Sequence, residues 1–127
     1  MKCLFCDKDF LESNKIFETE NWIAISDGYP VSLGHSLIIP KKHISSIFDL
    51  NDNDLIIELI SMIKSVKTIL CDKYNPKAFN IGINDGKFAG QTIPHLHIHI
   101  IPRYENDGGL PCGVRNVFNK DIANYVK

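Results

Sequence analysis

Residues Pro94 to Arg103 read PHLHIHIIPR, with His95, His97 and His99 alternating with Leu96, Ile98 and Ile100. Successive side chains of a strand point to opposite faces, so this alternation predicts a β-strand whose two faces have different roles. The aliphatic residues face a core. The imidazoles share the other face, roughly 7 Å from one to the next. One histidine would read as a half-buried side chain with its hydrogen bonds met. Three in strict alternation are poorly explained by packing, because each adds a desolvation cost. Such a row supports metal chelation, as His-x-His on a strand. It equally supports phosphate chemistry, because neutral imidazole is a good nucleophile near pH 7 and imidazolium stabilises anionic oxygen.

The rest of the chain supplies a sheet and a helix. KIFETENWIAISD predicts two short strands, Lys15–Glu18 and Trp22–Ser26, joined by a tight turn, and Ser36–Ile39 a third, stopped by Pro40. LNDNDLIIELISMIKSVKTILCDKYNP predicts the one long helix, capped at Asn51, with Asp52 and Asp54 in its first turn. Lys64, Lys67 and Lys73 lie toward its end, and Pro76 stops it. Its apolar stripe runs through Ile56, Leu59, Ile60, Ile63, Val66 and Leu70, and Leu55, Ile57, Met62 and Ile69 widen it beyond one face. A wide stripe suggests a second subunit or a deep core position. KAFNIGIND predicts a fourth strand ending in an Asn84-Asp85-Gly86 turn, and the histidine segment is the fifth. Together these give α+β with a mainly antiparallel five-stranded sheet, and the 127 residues form a single domain. The tail from Tyr104 onward shows only a weak helix pattern, in NKDIANYV.

A net charge of −1 gives no general attraction to nucleic acid or to an anionic membrane, so any phosphate must be held locally. No apolar run approaches the roughly 20 residues needed to cross a bilayer, and MKCLFCDKDFLES lacks a signal-peptide core. The expected location is the cytoplasm, where disulfides are the weaker reading of Cys3, Cys6, Cys71 and Cys112. Cys71 and Cys112 read as structural or incidental. Cys3-x-x-Cys6 by itself fits half of a zinc site, a redox pair or two idle thiols.

HLHIHII resembles the His-φ-His-φ-His-φ-φ signature of the histidine-triad superfamily of nucleotide hydrolases and transferases. ISDGYPVSLGHSLIIPKKH is similar to that family's nucleotide-side segment, and INDGKFAGQTIPHLHIH to its phosphate loop and triad. Gln91 and the GVR at Gly113–Arg115 look more like the dinucleoside polyphosphate branch than the phosphoramidase branch. The resemblance implies that His97 attacks the α-phosphate of a nucleotide, forming a nucleotidyl-histidine that water or another acceptor then resolves. It implies that His99 contacts the α-phosphate or the bridging oxygen, that His35 organises the cluster, and that Asn84, Gln91 and Thr92 contact phosphates. Asp27 falls where the family accepts hydrogen bonds from ribose hydroxyls. His97 needs one nitrogen bare, so its other nitrogen must donate, most simply to a backbone carbonyl.

The same resemblance implies one structural zinc held by Cys3, Cys6, His43 and His95, tethering residues 1–14 to the catalytic strand. Magnesium is expected only as the companion of a polyphosphate substrate. It further implies a homodimer acting on nucleotides, with diadenosine tetraphosphate-type compounds first and adenosine phosphoramidates second. Two other classes stay open on the residues alone: a nucleotide-binding module with residual catalysis, and a metal-storage site. The first has no use for His97, and the second none for Asp27. Arg115 reads equally as a phosphate contact or a solvated side chain. Phe5, Ile23 and Leu37 could line a base pocket, but apolar residues near strands usually form core, and they are read as core.

Overall fold

The computed structural model describes residues 3–105 together with Asp107 and Gly113. Cys112, Arg115 and the helix pattern of the tail lie outside the described residues.

The helix α1 (Lys8–Asn14) precedes β1 (Lys15–Glu18), β2 (Trp22–Ser26) and β3 (Ser36–Pro40). Next come α2 (Asn53–Tyr74), β4 (Ala78–Gly82) and β5 (Ile98–Arg103). The strands form one antiparallel sheet in the order β1-β2-β3-β5-β4. This is the expected α+β architecture, with four differences of detail outside the histidine segment.

First, α1 was not expected. Asp7 caps it, accepting from the backbone N–H of Asp9 (3.0 Å) and Phe10 (3.2 Å). Seven residues are too few to show a helical period, and burial of Leu11 fixes the segment instead. Second, the cap of α2 is Asp52, not Asn51: its carboxylate accepts from Asp54 N (2.9 Å) and Leu55 N (3.4 Å). Adjacent Asn and Asp are near-equal caps, so composition does not choose between them. Third, Pro40 closes β3 from inside, opposite Trp22, because a terminal residue need not donate to the ladder. Fourth, the buried line of α2 is Leu59, Met62, Val66 and Leu70, while Ile56, Ile57 and Ile60 are exposed. So many apolar positions surround this helix that their period leaves its orientation open.

The sheet separates two apolar layers, and strand alternation assigns residues to them. Trp22, Ala24, Ile38, Ile98 and Ile100 pack beneath α2. Ile23, Ile25, Leu37 and Ile39 face the other way, against Phe5 and Leu11 of the N-terminal segment. Trp22 Nε1 donates to Leu55 O (3.1 Å), and the Glu58 carboxylate accepts from Thr19 Oγ1, Asn21 N and Asn21 Nδ2, tying the β1–β2 turn to α2. The second layer is where the histidines emerge. No helix among the described residues is long and apolar enough to cross a membrane.

Candidate active site and metal cluster

The regular ladder of β5 starts at Ile98, so His95 and His97 lie in the extended segment just before it. Leu96 N–H donates to Ile44 O (2.6 Å), which holds that segment to the chain after β3. Phe5 meets both rings edge-on, with centroids 5.1 Å from His97 and 6.1 Å from His95. His97 and His99 are themselves adjacent, at 5.2 Å. All four triad-region histidines, His35 included, are buried.

The hydrogen bonds assign the protons by donor and acceptor logic. His97 Nδ1 lies 2.8 Å from His95 O, and a carbonyl only accepts, so Nδ1 carries the hydrogen and Nε2 the lone pair. Val31 N–H donates to His35 Nδ1 (2.9 Å), which places the His35 hydrogen on Nε2. That hydrogen is shared with His99 Nδ1 at 2.9 Å, and Asp27 Oδ2 stands 3.3 Å from the same nitrogen. His99 Nδ1 therefore accepts, leaving its own hydrogen on Nε2. Burial, then His97 and His35, lower the His99 pKa from the ordinary histidine value to about 4. Burial likewise lowers that of His35, against a smaller opposing pull from Asp27. The result is a neutral relay, Val31 to His35 to His99, beside a His97 whose Nε2 carries the lone pair.

Asp27, His35 and His99 also present atoms close enough together to hold a cation. The Val31 N–H argues against that use. A metal on His35 Nε2 would need a bare nitrogen there, and the proton has no other place on that ring.

The histidines open into a cavity of about 690 Å³. Asp27, His35, Asn84, Thr92, His97 and His99, all expected at the site, line it. Its apolar walls include Leu4, Phe5, Phe10, Ile25, Leu37 and Ile93. Of the residues read as core, Phe5 and Leu37 thus line the site, whereas Ile23 does not. An apolar residue beside a strand gives no signal that separates a pocket wall from a core. Gln91 stands behind the wall: its Oε1 accepts from Gly86 N (2.8 Å), and its Nε2 donates to Ser45 O (2.9 Å) and Ile93 O (3.1 Å). His35 is set by the turn before it, where Gly34 has φ +91°, and a Cβ there would lie 2.8 Å from Tyr74 Cδ2.

Cys3, Cys6, His43 and His95 converge at one end of the histidine row, with ligand atoms within 4.8 Å of one another. His95 Nδ1 is 3.4 Å from Cys3 Sγ and 3.5 Å from Cys6 Sγ, and His43 Nδ1 is 3.3 Å from Cys6 Sγ. His95 Nε2–H donates to Pro40 O (2.8 Å), so its Nδ1 is bare and aimed at the sulfurs. A tetrahedral zinc with S and N ligands has S···N edges of about 3.6 Å, close to these separations. Without a cation, burial and the neighbouring Cys3 hold the Cys6 thiol above its usual range. The donor set fits a soft divalent ion, with a backbone carbonyl orienting one imidazole in the usual outer-shell manner.

The depressed His99 pKa gives a stability prediction. Between about pH 6.5 and 4 the unfolded chain binds a proton at this position that the folded chain refuses. Stability therefore falls as pH drops through that window, by about 3 kcal/mol for the full shift. Urea unfolding at pH 7 and pH 4.5 should show a shallower loss for His99→Asn than for the parent. Equal losses would remove His99 as the cause.

The HIT domain family model matches residues 9–106. The chain belongs to the HIT family. The adenosine 5'-monophosphoramidase hnt1 of Schizosaccharomyces pombe is 33% identical over 115 residues, covering 89% of this chain and 83% of that relative. The bis(5'-nucleosyl)-tetraphosphatase [asymmetrical] of the same organism is 35% identical over 106 residues, 84% of this chain and 58% of its own length. A crystal structure of a Zn-bound histidine triad family protein from Mycobacterium smegmatis superimposes with a TM-score of 0.72 at 31% identity, covering 84% of this chain and 78% of that one. The matched residues run from within α1 through β5 and carry the histidine row, while Cys3, Phe5 and Cys6 precede them.

Proposed function

We propose that this protein cleaves nucleotides at the α-phosphate through a covalent intermediate on His97, with diadenosine tetraphosphate-type compounds as its substrate class. The observation carrying this reading is the His97 Nδ1–H bond to His95 O, which leaves Nε2 bare toward the cavity. In the first step His97 Nε2 forms a bond to phosphorus, and the bond from phosphorus to the leaving oxygen breaks with its electron pair. The His99 Nε2–H stabilises the oxygen that gains charge. In the second step water attacks the same phosphorus, the N–P bond returns its electrons to His97, and the water proton leaves to solvent. Splitting one displacement into two lowers the barrier of each. Asp27 accepts from the ribose hydroxyls, Asn84 and Thr92 face the phosphates, and Phe5, Ile25 and Leu37 surround the base. Gln91 serves by bracing the loop that carries Thr92.

The Cys3, Cys6, His43, His95 cluster holds one structural zinc in this reading, supported by the Zn-bound relative and by the donor geometry. Bound there, zinc supplies a fixed cross-link and takes no part in the displacement. Product analysis of purified protein with diadenosine tetraphosphate and, in parallel, adenosine phosphoramidate tests the function. Faster turnover of the tetraphosphate, giving AMP and ATP, supports the reading. Preference for the phosphoramidate moves the substrate class to that of the hnt1 relative. Turnover of neither favours a binding module.

A homodimer belongs to the same proposal. β4 is an edge strand whose Ile81 is exposed, Ile83 follows it exposed, and Ile56, Ile57 and Ile60 are exposed on α2. Long exposed edges and apolar helix faces are usually covered. Light scattering at micromolar concentration should give twice the chain mass, and a Ile57→Glu, Ile60→Glu double variant should shift toward the monomer. A parent of single-chain mass contradicts the assembly.

A further inference from the structure

We propose that a second cavity beside the catalytic pocket receives the departing polyphosphate, with Lys87 as its cation. This rests on the reading of His97 as the nucleophile toward a nucleotide α-phosphate. The second cavity has a volume of about 550 Å³ and is lined by Ser45, Lys87, Gly90, Gln91, Thr92 and Pro94. Gly90 and Thr92 also line the catalytic pocket, so the loop before the triad borders both spaces. A phosphoryl displacement runs in line, with the leaving group departing opposite the nucleophile. The apolar end of the catalytic pocket is suited to the nucleoside. The leaving group must continue elsewhere, and the Lys87 cavity shares Thr92, placed at the phosphates in that reading, with the catalytic pocket.

The chemistry of the cavity selects the leaving group. An amine leaving group carries no negative charge and needs no cation beyond the α-phosphate. A nucleoside triphosphate carries several, in a chain whose net charge of −1 offers no general attraction. Among the described residues Lys87 has no ion pair, and a lysine in that state is available to phosphate oxygens. Its neighbour Phe88 is fully exposed, a bare aromatic ring that suits stacking by a terminal base. Both residues sit on a braced turn. Gly86 (φ +96°) and Gly90 (φ +93°) bracket Lys87–Ala89, and the Gln91 amide joins Gly86 N to Ser45 O across it. A braced cation needs less ordering when ligand binds, which favours affinity. The substrate class that uses both cavities is a dinucleoside polyphosphate long enough to span from His97 past Thr92.

Calorimetry on His97→Ala protein, which cannot consume the ligand, reads the second cavity directly. AMP fills only the first cavity, and diadenosine tetraphosphate reaches both. The tetraphosphate is expected to bind about tenfold or more tighter than AMP, and Lys87→Glu to remove most of that preference. Lys87→Ala should give a smaller loss in the same direction, and Phe88→Ala should loosen the tetraphosphate more than ATP, which lacks a second base. Equal affinity for AMP and tetraphosphate, or an unchanged ratio in Lys87→Glu, overturns the inference while AMP binding still supports the catalytic pocket. Absence of AMP binding, with no turnover by the parent, defeats the functional reading and this inference with it.

Discussion

Replacing His97 with alanine should lower turnover of diadenosine tetraphosphate by about 10⁴-fold or more, while AMP still binds. The expectation follows from where the lone pair is. His95 O fixes the hydrogen of His97 on Nδ1, and the opposite nitrogen faces the cavity that Asp27, Asn84 and Thr92 line. No other described residue of that cavity combines a bare, polarisable nitrogen with a defined tautomer. His99 has its Nδ1 occupied by His35, and His35 has its Nδ1 occupied by Val31. On the proposed mechanism, removing His97 removes the attacking atom rather than tuning it. His99→Ala should be milder, on the order of 10²-fold, because it removes one stabilising donor and leaves the nucleophile. Rapid quenching at alkaline pH, followed by mass spectrometry, should find a nucleotidyl group on His97 of the parent and none on the variant. Retention of activity within tenfold by His97→Ala would show direct attack by water, with the histidine row acting only as an electrostatic cradle.

The contrast between what the chain announces and what it conceals has a physical pattern. The histidine row was legible because alternation in a strand and the cost of burying imidazole are local rules, and they correctly placed Leu96, Ile98 and Ile100 under α2. The five strands were legible for the same reason. The orientation of α2 was not, because apolar residues surround most of the helix and only tertiary contact selects Met62 over Ile60. Gln91 is the clearest lesson within the site. Its type and position beside the triad suit a phosphate ligand, yet its three hydrogen bonds all go to backbone groups of Gly86, Ser45 and Ile93. A side-chain amide advertises donors and acceptors, and sequence does not say whether the chain or a ligand will use them. The apolar walls were hidden for a related reason: Phe5 and Leu37 look the same whether they face a base or one another. The relay from Val31 through His35 to His99 begins at a backbone N–H, which has no sequence signal at all.

Zinc removal is the second large effect expected. Chelation, or Cys3→Ser with Cys6→Ser, should lower the thermal midpoint on the order of 10–15 °C, since a ligand at a thousandfold its Kd stabilises by about 4 kcal/mol. The four donors come from three separate parts of the chain: Cys3 and the turn Leu4–Cys6 that follows it, the segment after β3, and the stretch leading into β5. Cross-linking parts so distant in sequence restricts the unfolded chain as well as ordering the folded one. Native mass spectrometry should count one zinc on the parent chain and none on the double variant. On the proposed reading the effect should also reach His97, because His95 would contribute both a ligand nitrogen and the carbonyl that accepts from His97 Nδ1. Freed of its anchor, the His95 ring would keep the Pro40 hydrogen bond and the Phe5 and His43 ring contacts, and the carbonyl would rely on the backbone bonds of His95 N to Ile93 O and Leu96 N to Ile44 O. Activity of the double variant at a temperature where it is folded should therefore fall through kcat more than through KM. A parent protein that binds no zinc, and whose midpoint a chelator does not move, would return the cysteines to the status of plain thiols. His95 would then act on His97 through its carbonyl alone.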